Sequence, residues 1–596
     1  MSEEKKLTAI HSIENPKRRI VEDLKIRNKD NMKLCAGEYF GNKFTYAQTF
    51  KMFDDFKKAF IHVDGLNKDT ITISTPSTIA SVNAFYGALD ANKVLNMTGP
   101  GFLHAYTEKY TRQLNSKTVI IYDGFLSDDL ISKFHAAGIK NLIIMSITDY
   151  MNPIVKMAAV KQGIISDKDY LDEYTKRHGY LPQGMEIIRM KEFAKIGSKI
   201  KESYDFKYEE NQLAAYFLTG ATTSQFPKCV KVSVDGFTKM ASIYDHIWFD
   251  YKAGSRYSVL IPMFYATGAV HNIYTGLVGG LTMVYQPKYD RFAFAKDLAD
   301  SKANIVLATP SHVATLNECG LPDNALSHVK YVFIGGEAIL PAQMDKFRKS
   351  AARLGIKYIL NGYGMTETAS MSSVSDKDSV GDDVTVSPIP GVEYRIVDPV
   401  TREILPDNAR GILEAKSPCA SLGYFDVEKN KNLFTEDGWI NTGDVAIRYS
   451  NGKYRIFGRN SDSFTNCGIT YAMYDIEEQA LKHPDVAEAE VIKFEIDSEE
   501  YPAMVVVLNS NATNRIADIT KELCSIDVAG MEHFIGVRYV DKFKTHPVTS
   551  KRDYLSLQND KEGYFFVDKN GNAFMSNVGE KKREIRKDDM TVVTIL

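Results

Sequence analysis

The chain has 596 residues, 44% of them apolar and 25% charged, with a formal net charge of −3. Such a length exceeds what one hydrophobic core serves, so about three to five units of roughly 100 to 200 residues are expected. The nearly balanced charge excludes a general electrostatic drive toward nucleic acid or an anionic membrane, which leaves small-molecule chemistry as the better expectation. Cys35, Cys229, Cys319, Cys419, Cys467 and Cys524 stand singly, without metal-ligand spacing, and fit a reducing compartment. The opening MSEEKKLTAIHSIENPKRR lacks the apolar core and cleavage site of a signal peptide, so a cytoplasmic location is expected.

Residues 1–205 alternate helix-period stretches, such as Phe53, Phe56 and Phe60 behind the N-cap candidate Thr45, with short apolar runs. TVIIYDG (118–124) and NLIIMSI (141–147) read as buried strands, and the alternation predicts a doubly wound α/β layer. Residues 206–390 repeat the pattern in IVLATPS, YVFIGGEAIL and YILNGYGMTE, predicting a second α/β subdomain whose strands end in Gly, Ser or Thr, where ligands of open sheets bind. Tyr257 to Tyr285 is the most apolar stretch, but Pro262, Gly268, His271 and Asn272 break it into buried core rather than a membrane span. Residues 391–458 read as a small β-barrel-like subdomain with a hairpin at Asn451-Gly452, and 459–557 as a small α+β domain with a helix capped by Asp475. The tail, 558–596, carries one more hairpin signal at Asn570-Gly571 and a solvated charge run, EKKREIRKDD.

Five segments carry residue types suited to chemistry. In LTGATTSQFPKCV, Thr219, Thr222, Thr223 and Ser224 crowd around Gly220 ahead of Lys228, a hydroxyl-rich turn and an ammonium that suit polyphosphate oxygens. It is no Walker A loop, and a surface turn is the plain alternative. YVFIGGEAILP opens a buried strand into Gly335, Gly336, Glu337 and Ala338, where glycines admit a flat ligand or serve a tight turn. In YILNGYGMTETAS, a strand runs into Asn361, Gly362, Tyr363, Gly364 and Met365, then Thr366 and Glu367. An aromatic that can stack, a hydroxyl for phosphate and a carboxylate for Mg²⁺ stand together there. Asp444 precedes a hairpin and Arg459 follows it, so both can face one ligand such as ribose, or simply pair with each other. Lys551, in THPVTSKRDYLSL, reads on its own as solvated surface.

In order and spacing, from about residue 30 to 557, these segments resemble the superfamily of adenylate-forming enzymes, which includes acyl-CoA synthetases, peptide-synthetase adenylation domains and luciferases. NGYGMTE, and TGD ahead of GR, are the strongest matches; GNKFTYAQ and NAFYGALDANKVLN resemble the family's opening domain. The resemblance implies ATP, Mg²⁺ and a carboxylic acid as reactants, with coenzyme A or a carrier protein as acceptor. Thr219 to Lys228 would wrap the β- and γ-phosphates, and Gly336-Glu337-Ala338 would line the adenine and acyl sites. Tyr363 would stack on adenine, Thr366 contact phosphate, Glu367 hold the metal, Asp444 take the ribose hydroxyls and Arg459 assist. Lys551 becomes the catalytic lysine of a mobile C-terminal domain, Tyr265 and Gly335 border the acyl pocket, and Gly468 lies on the coenzyme A side.

Some positions depart from the family pattern. The phosphate loop has Ala221 for one glycine and Ser224-Gln225 for another, Ser461 stands at the hinge beside Asp462, and Thr465 replaces a lysine frequent in coenzyme A ligases. Ser550 replaces the glycine before the catalytic lysine, and Tyr265 a frequent histidine. Three readings follow: an acyl-CoA ligase of the fatty-acid-metabolism kind, an adenylating enzyme serving another acceptor, and a nucleotide-binding relative without turnover.

Overall fold

The computed structural model describes residues 13–166, 170–179, 182–219, 227–247, 249–286, 293–466, 469–496, 499–509, 512, 515–526, 536–544, 553–567, 572–576 and 578. Two large sheets form the body. The first has seven strands in the order Glu186–Arg189, Asn141–Met145, Ser116–Tyr122, Thr70–Ser74, Val94–Met97, Leu213–Leu218, Cys229–Ser233. All its pairs are parallel except the last. The second has nine, with parallel strands Tyr358–Met365, Tyr331–Ile334, Ile305–Ala308, Arg256–Val259, Thr282–Tyr285 and Cys35–Tyr39 in its centre and antiparallel strands at both edges. Apolar runs such as IVLA and YVFI are buried along their whole length, as strands of a parallel sheet covered on both faces must be.

These sheets exchange strands across residue 205. The hairpin Cys35–Tyr39 and Asn42–Thr45 belongs to the nine-stranded sheet, whereas Leu213–Leu218 and Cys229–Ser233 return to the seven-stranded one. One hydrophobic cluster spans both. The helix Tyr46–Asp64 shows how the chain builds this body. Thr45 accepts from the Gln48 amide at 3.2 Å while the Gln48 side chain accepts from the Thr45 amide at 2.8 Å, a capping box. Phe53, Phe56 and Phe60 then line its buried face, each side chain giving about 1.5–3 kcal/mol of transfer free energy.

Beyond the nine-stranded sheet lies an antiparallel sheet of Glu393–Val397, Arg410–Lys416, Ile440–Arg448 and Tyr454–Arg459. Its hairpin turns at Asn451-Gly452, where Gly452 has φ +80°. The C-terminal part is α+β, as expected, but the helix there, Met473–Ala480, starts two residues before Asp475. Asp475 is therefore no cap: its carboxylate leaves the first turn to pair with Arg410 at 2.9 Å, an opposite charge that competes with the backbone for it. The five-stranded sheet of this part runs on past Leu557, since Tyr564–Val567 and Ala573–Ser576 pair antiparallel at its edge. The Asn570-Gly571 turn and the charge run lie outside the described residues. Among the described residues no helix is long and apolar enough to cross a membrane, and 257–285 is core.

Candidate functional site

The nine-stranded sheet opens at the carboxyl ends of its central strands. Tyr358–Met365 is buried at Ile359 and Leu360, becomes half-buried from Asn361 to Tyr363, and is exposed at Gly364. Its neighbour Tyr331–Ile334 is buried throughout, after which Gly335 and Glu337 are half-buried and Gly336 and Ala338 exposed. Ile334 pairs with Asn361, so the Gly335 and Gly362 segments emerge side by side. The Asn361 side chain donates to the Val384 carbonyl at 2.7 Å and so also braces the sheet edge.

Past Met365 the chain makes a tight 3-10 turn, Thr366–Thr368. Gly364 is needed here, because a Cβ at that position would lie 1.9 Å from the Ser370 carbonyl oxygen. Ala369 sits in left-handed backbone at φ 58°, a strain of about 1–3 kcal/mol that Thr368 Oγ1 secures by bonding the carbonyls of Met365 and Ser370 at 3.0 Å each. The turn directs Glu367 inward, to 5% exposure.

Tyr363, Asp444 and Arg459 converge from two segments. Tyr363 Oη donates to Asp444 Oδ2 at 2.5 Å, and Arg459 Nε lies 3.3 Å from Asp444 Oδ1. Asp444 and Arg459 are direct cross-strand partners, and Arg459 Nη1 also donates to the Thr442 carbonyl at 2.7 Å. Gly443, between Thr442 and Asp444, has φ +72°, left-handed backbone that favours glycine, so the glycine of TGD serves the turn. Burial pushes the Asp444 carboxyl above its ordinary range although the Arg459 charge opposes it. Burial and the adjoining Asp444 charge raise the Tyr363 phenol, keeping it a donor.

Glu367 and Lys228 meet at a third residue, Tyr424. Its hydroxyl donates to Glu367 Oε1 at 2.7 Å, while Lys228 Nζ stands 3.5 Å from Tyr424 Oη and 5.0 Å from its ring centroid. Thr219 closes the base of the phosphate-loop segment: its amide donates to the Lys228 carbonyl at 2.9 Å and its hydroxyl accepts from the Lys228 amide at 3.1 Å. No ion pair to Glu367 is found among the described residues.

Tyr265 packs edge-on against Phe264 at 4.8 Å, just before the π-helix Thr267–Tyr274. Such helices recur at functional sites. Within it His271 is buried and shares a 2.5 Å hydrogen bond with Tyr244 Oη, and burial lowers its pKa to about 4, so it is neutral. Tyr244, Phe249, Tyr257, Thr275 and Phe333 line a small cavity beside it. Gly220, Thr222, Thr223, Ser224, Gly468 and Lys551 lie outside the described residues.

Tyr424 and Tyr244 were not singled out in the sequence. Tyr424 is one aromatic in LGYF with no spaced partner, so only three-dimensional proximity reveals it.

A family model described as AMP-binding enzyme matches residues 25–425. The chain is 25% identical over 339 residues to the luciferin 4-monooxygenase of Luciola mingrelica, covering 56% of this chain and 61% of that protein. It is 29% identical over 310 residues to the mitochondrial medium-chain acyl-CoA ligase of Danio rerio, covering 51% of this chain and 50% of that one. The match thus spans about half to six-tenths of these two relatives. The crystal structure of ATP-bound MatB from Rhodopseudomonas palustris superposes with a TM-score of 0.72 at 19% identity, covering 91% of this chain and 98% of that one, a likeness of fold.

Proposed function

The chain belongs to the AMP-binding enzyme family, and from that premise we propose that it activates a carboxylic acid as its acyl-adenylate and then passes the acyl group to coenzyme A. The observation that carries the reading is the convergence of Tyr363, Asp444 and Arg459 beside Glu367 at the carboxyl ends of the nine-stranded sheet. A carboxylate is a poor electrophile, so activation comes first. One of its oxygens attacks the α-phosphorus of ATP, the bond to the bridging oxygen breaks, and pyrophosphate leaves. The product is a mixed anhydride with AMP as leaving group. A thiolate then adds to the acyl carbon and expels AMP, the thiol proton going to solvent.

In this reading Tyr363 stacks on adenine, Asp444 accepts from the ribose hydroxyls and Arg459 holds Asp444 in place. Asn361 to Met365 and Gly336 to Ala338 form the walls of the nucleotide site, and Thr366 meets phosphate. Thr219 and Lys228, with Gly220, Thr222, Thr223 and Ser224, take the outer phosphates. Glu367 is a buried carboxylate without a paired cation among the described residues and would hold a magnesium ion through its oxygens. When bound, that ion supplies positive charge against the leaving pyrophosphate. Lys551, about ninety residues beyond Arg459, reaches the nucleotide by closure of a C-terminal domain that begins near 459. Tyr265 and Gly335 border the acyl pocket and Gly468 the thiol side. Of the domain division, the boundaries near 391 and 459 are part of this proposal, as is a cytoplasmic setting.

Thr465, at a position where coenzyme A ligases often carry lysine, supports a second reading, transfer to a carrier protein or another acceptor. ATP–pyrophosphate exchange against short, medium, long and aromatic acids tests the first step; exchange that requires an acid and falls roughly 10²- to 10³-fold in Lys551→Ala is expected. Adding coenzyme A and looking for the thioester then separates the two acceptors. ATP binding without exchange for any acid would leave a nucleotide-binding protein instead.

A further inference from the structure

Tyr424 joins three segments that are far apart in sequence. Residues 421–425 run along the strand Cys229–Ser233: Lys231 N donates to the Gly423 carbonyl, Leu422 N to that of Lys231, and Phe425 N to that of Cys229, each at 2.8 Å. At the other side, Ser421 N donates to the Glu367 carbonyl at 2.8 Å. The Tyr424 side chain is 3% exposed, with its hydroxyl on Glu367 Oε1 and its ring and oxygen beneath the Lys228 ammonium.

This places a neutral phenol between an anion and a cation that would otherwise be drawn together. An ion pair of Lys228 with Glu367 would neutralise both groups. With the phenol between them, among the described residues nothing donates to Glu367 Oε2, and Lys228 rests on a ring face, a partner weaker than a charged oxygen. Resting on the adenylation reading, we propose that Tyr424 is a positioning residue: it orients the metal-binding carboxylate of Glu367 and keeps the Lys228 ammonium unpaired with that carboxylate until the triphosphate arrives. Outer partners of metal ligands matter in this way because they fix the ligand's orientation before the ion binds.

The test is Tyr424→Phe in the full chain, which deletes one oxygen and keeps the ring, checked by thermal melting. ATP binding is followed by calorimetry across a Mg²⁺ titration and in EDTA, alongside exchange kinetics. The expected result is a half-saturating Mg²⁺ concentration raised about 10- to 100-fold, metal-free ATP affinity changed less than about twofold, and kcat restored by saturating Mg²⁺. A purely structural role would lower kcat at every Mg²⁺ concentration. In a Glu367→Gln background the substitution should add less than about twofold, since the two side chains act through one bond. An unchanged Mg²⁺ requirement in folded Tyr424→Phe, or an effect that persists in Glu367→Gln, would overturn the proposal. Because the binding titration needs no turnover, a wild-type chain without acid-dependent exchange would sink the adenylation reading while the metal titration still decides the role of Tyr424.

Discussion

Two lysines, Lys93 buried and Lys228 exposed, face opposite demands. Lys93, beside the seven-stranded sheet, has a side chain with no exposed surface and donates to the carbonyls of Asp64 at 3.4 Å and of Gly65 and Asn67 at 2.8 Å. Its three N–H groups meet three backbone acceptors. Lys228, at the sheet opening, has instead a ring face at 5.0 Å and a hydroxyl at 3.5 Å. The carboxylates are both held by side chains. Asp64 accepts from Thr118 Oγ1 at 2.7 Å and Asn141 Nδ2 at 3.0 Å within its own layer, whereas Asp444 is held by Tyr363 and Arg459 from two segments. Buried charge alone therefore does not mark a site. What separates the two lysines is their partners: Lys93 is tied to fixed backbone, whereas Lys228 is exposed and rests on a side chain that a ligand can displace.

That contrast can be broken by substitution. The largest effect is expected at Glu367: Glu367→Gln should lower ATP–pyrophosphate exchange roughly 10²- to 10³-fold with an unchanged melting temperature, and a matching loss of Tm would make it a structural carboxylate like those of the first sheet. Next, Asp444→Asn should weaken ATP binding by about 1.5–3 kcal/mol, the worth of hydrogen bonds to a charged group, as read by calorimetry; unaltered affinity would remove Asp444 from the nucleotide site. Lys93→Met should show the reverse profile. It strands carbonyls and lowers stability by about 1–3 kcal/mol, measured by urea unfolding, while the folded variant binds ATP as before.

The smallest effect is at Asp64. Burial raises its carboxyl pKa above the ordinary value of 3.8, and one of its oxygens has no hydrogen-bond partner among the described residues. A raised folded-state pKa means the folded chain holds the proton more tightly. Its contribution is therefore complete below about pH 4 and is lost as pH rises through the folded pKa. Asp64→Asn removes that loss, so the melting temperature of the variant should gain on wild type as pH is raised from 4 to 7. A difference independent of pH would show that Asp64 is not titrating.

Much of this was legible locally. Apolar runs ending in glycine or threonine marked the strands Ile305–Ala308, Tyr331–Ile334 and Tyr358–Met365 and the end at which they open. The N-cap at Thr45 and the Asn451-Gly452 hairpin depend on neighbours a few residues away and were read correctly. Partner choice over long range was not legible: nothing in the run CAGEY tells that it pairs with Thr282–Tyr285, and nothing in Asp475 tells that Arg410 draws it from the helix end. Tyr424 escaped for the same reason, since its two partners lie 57 and 196 residues away.

The most direct test of the central claim follows one atom. Once an accepted acid is known, the enzyme is given that acid with its carboxylate labelled with ¹⁸O, together with ATP, Mg²⁺ and coenzyme A, and the products are weighed by mass spectrometry. If a carboxylate oxygen attacks the α-phosphorus, each AMP carries one ¹⁸O and pyrophosphate carries none. Label in inorganic phosphate alongside ADP, or AMP without label, would contradict adenylation of the acid.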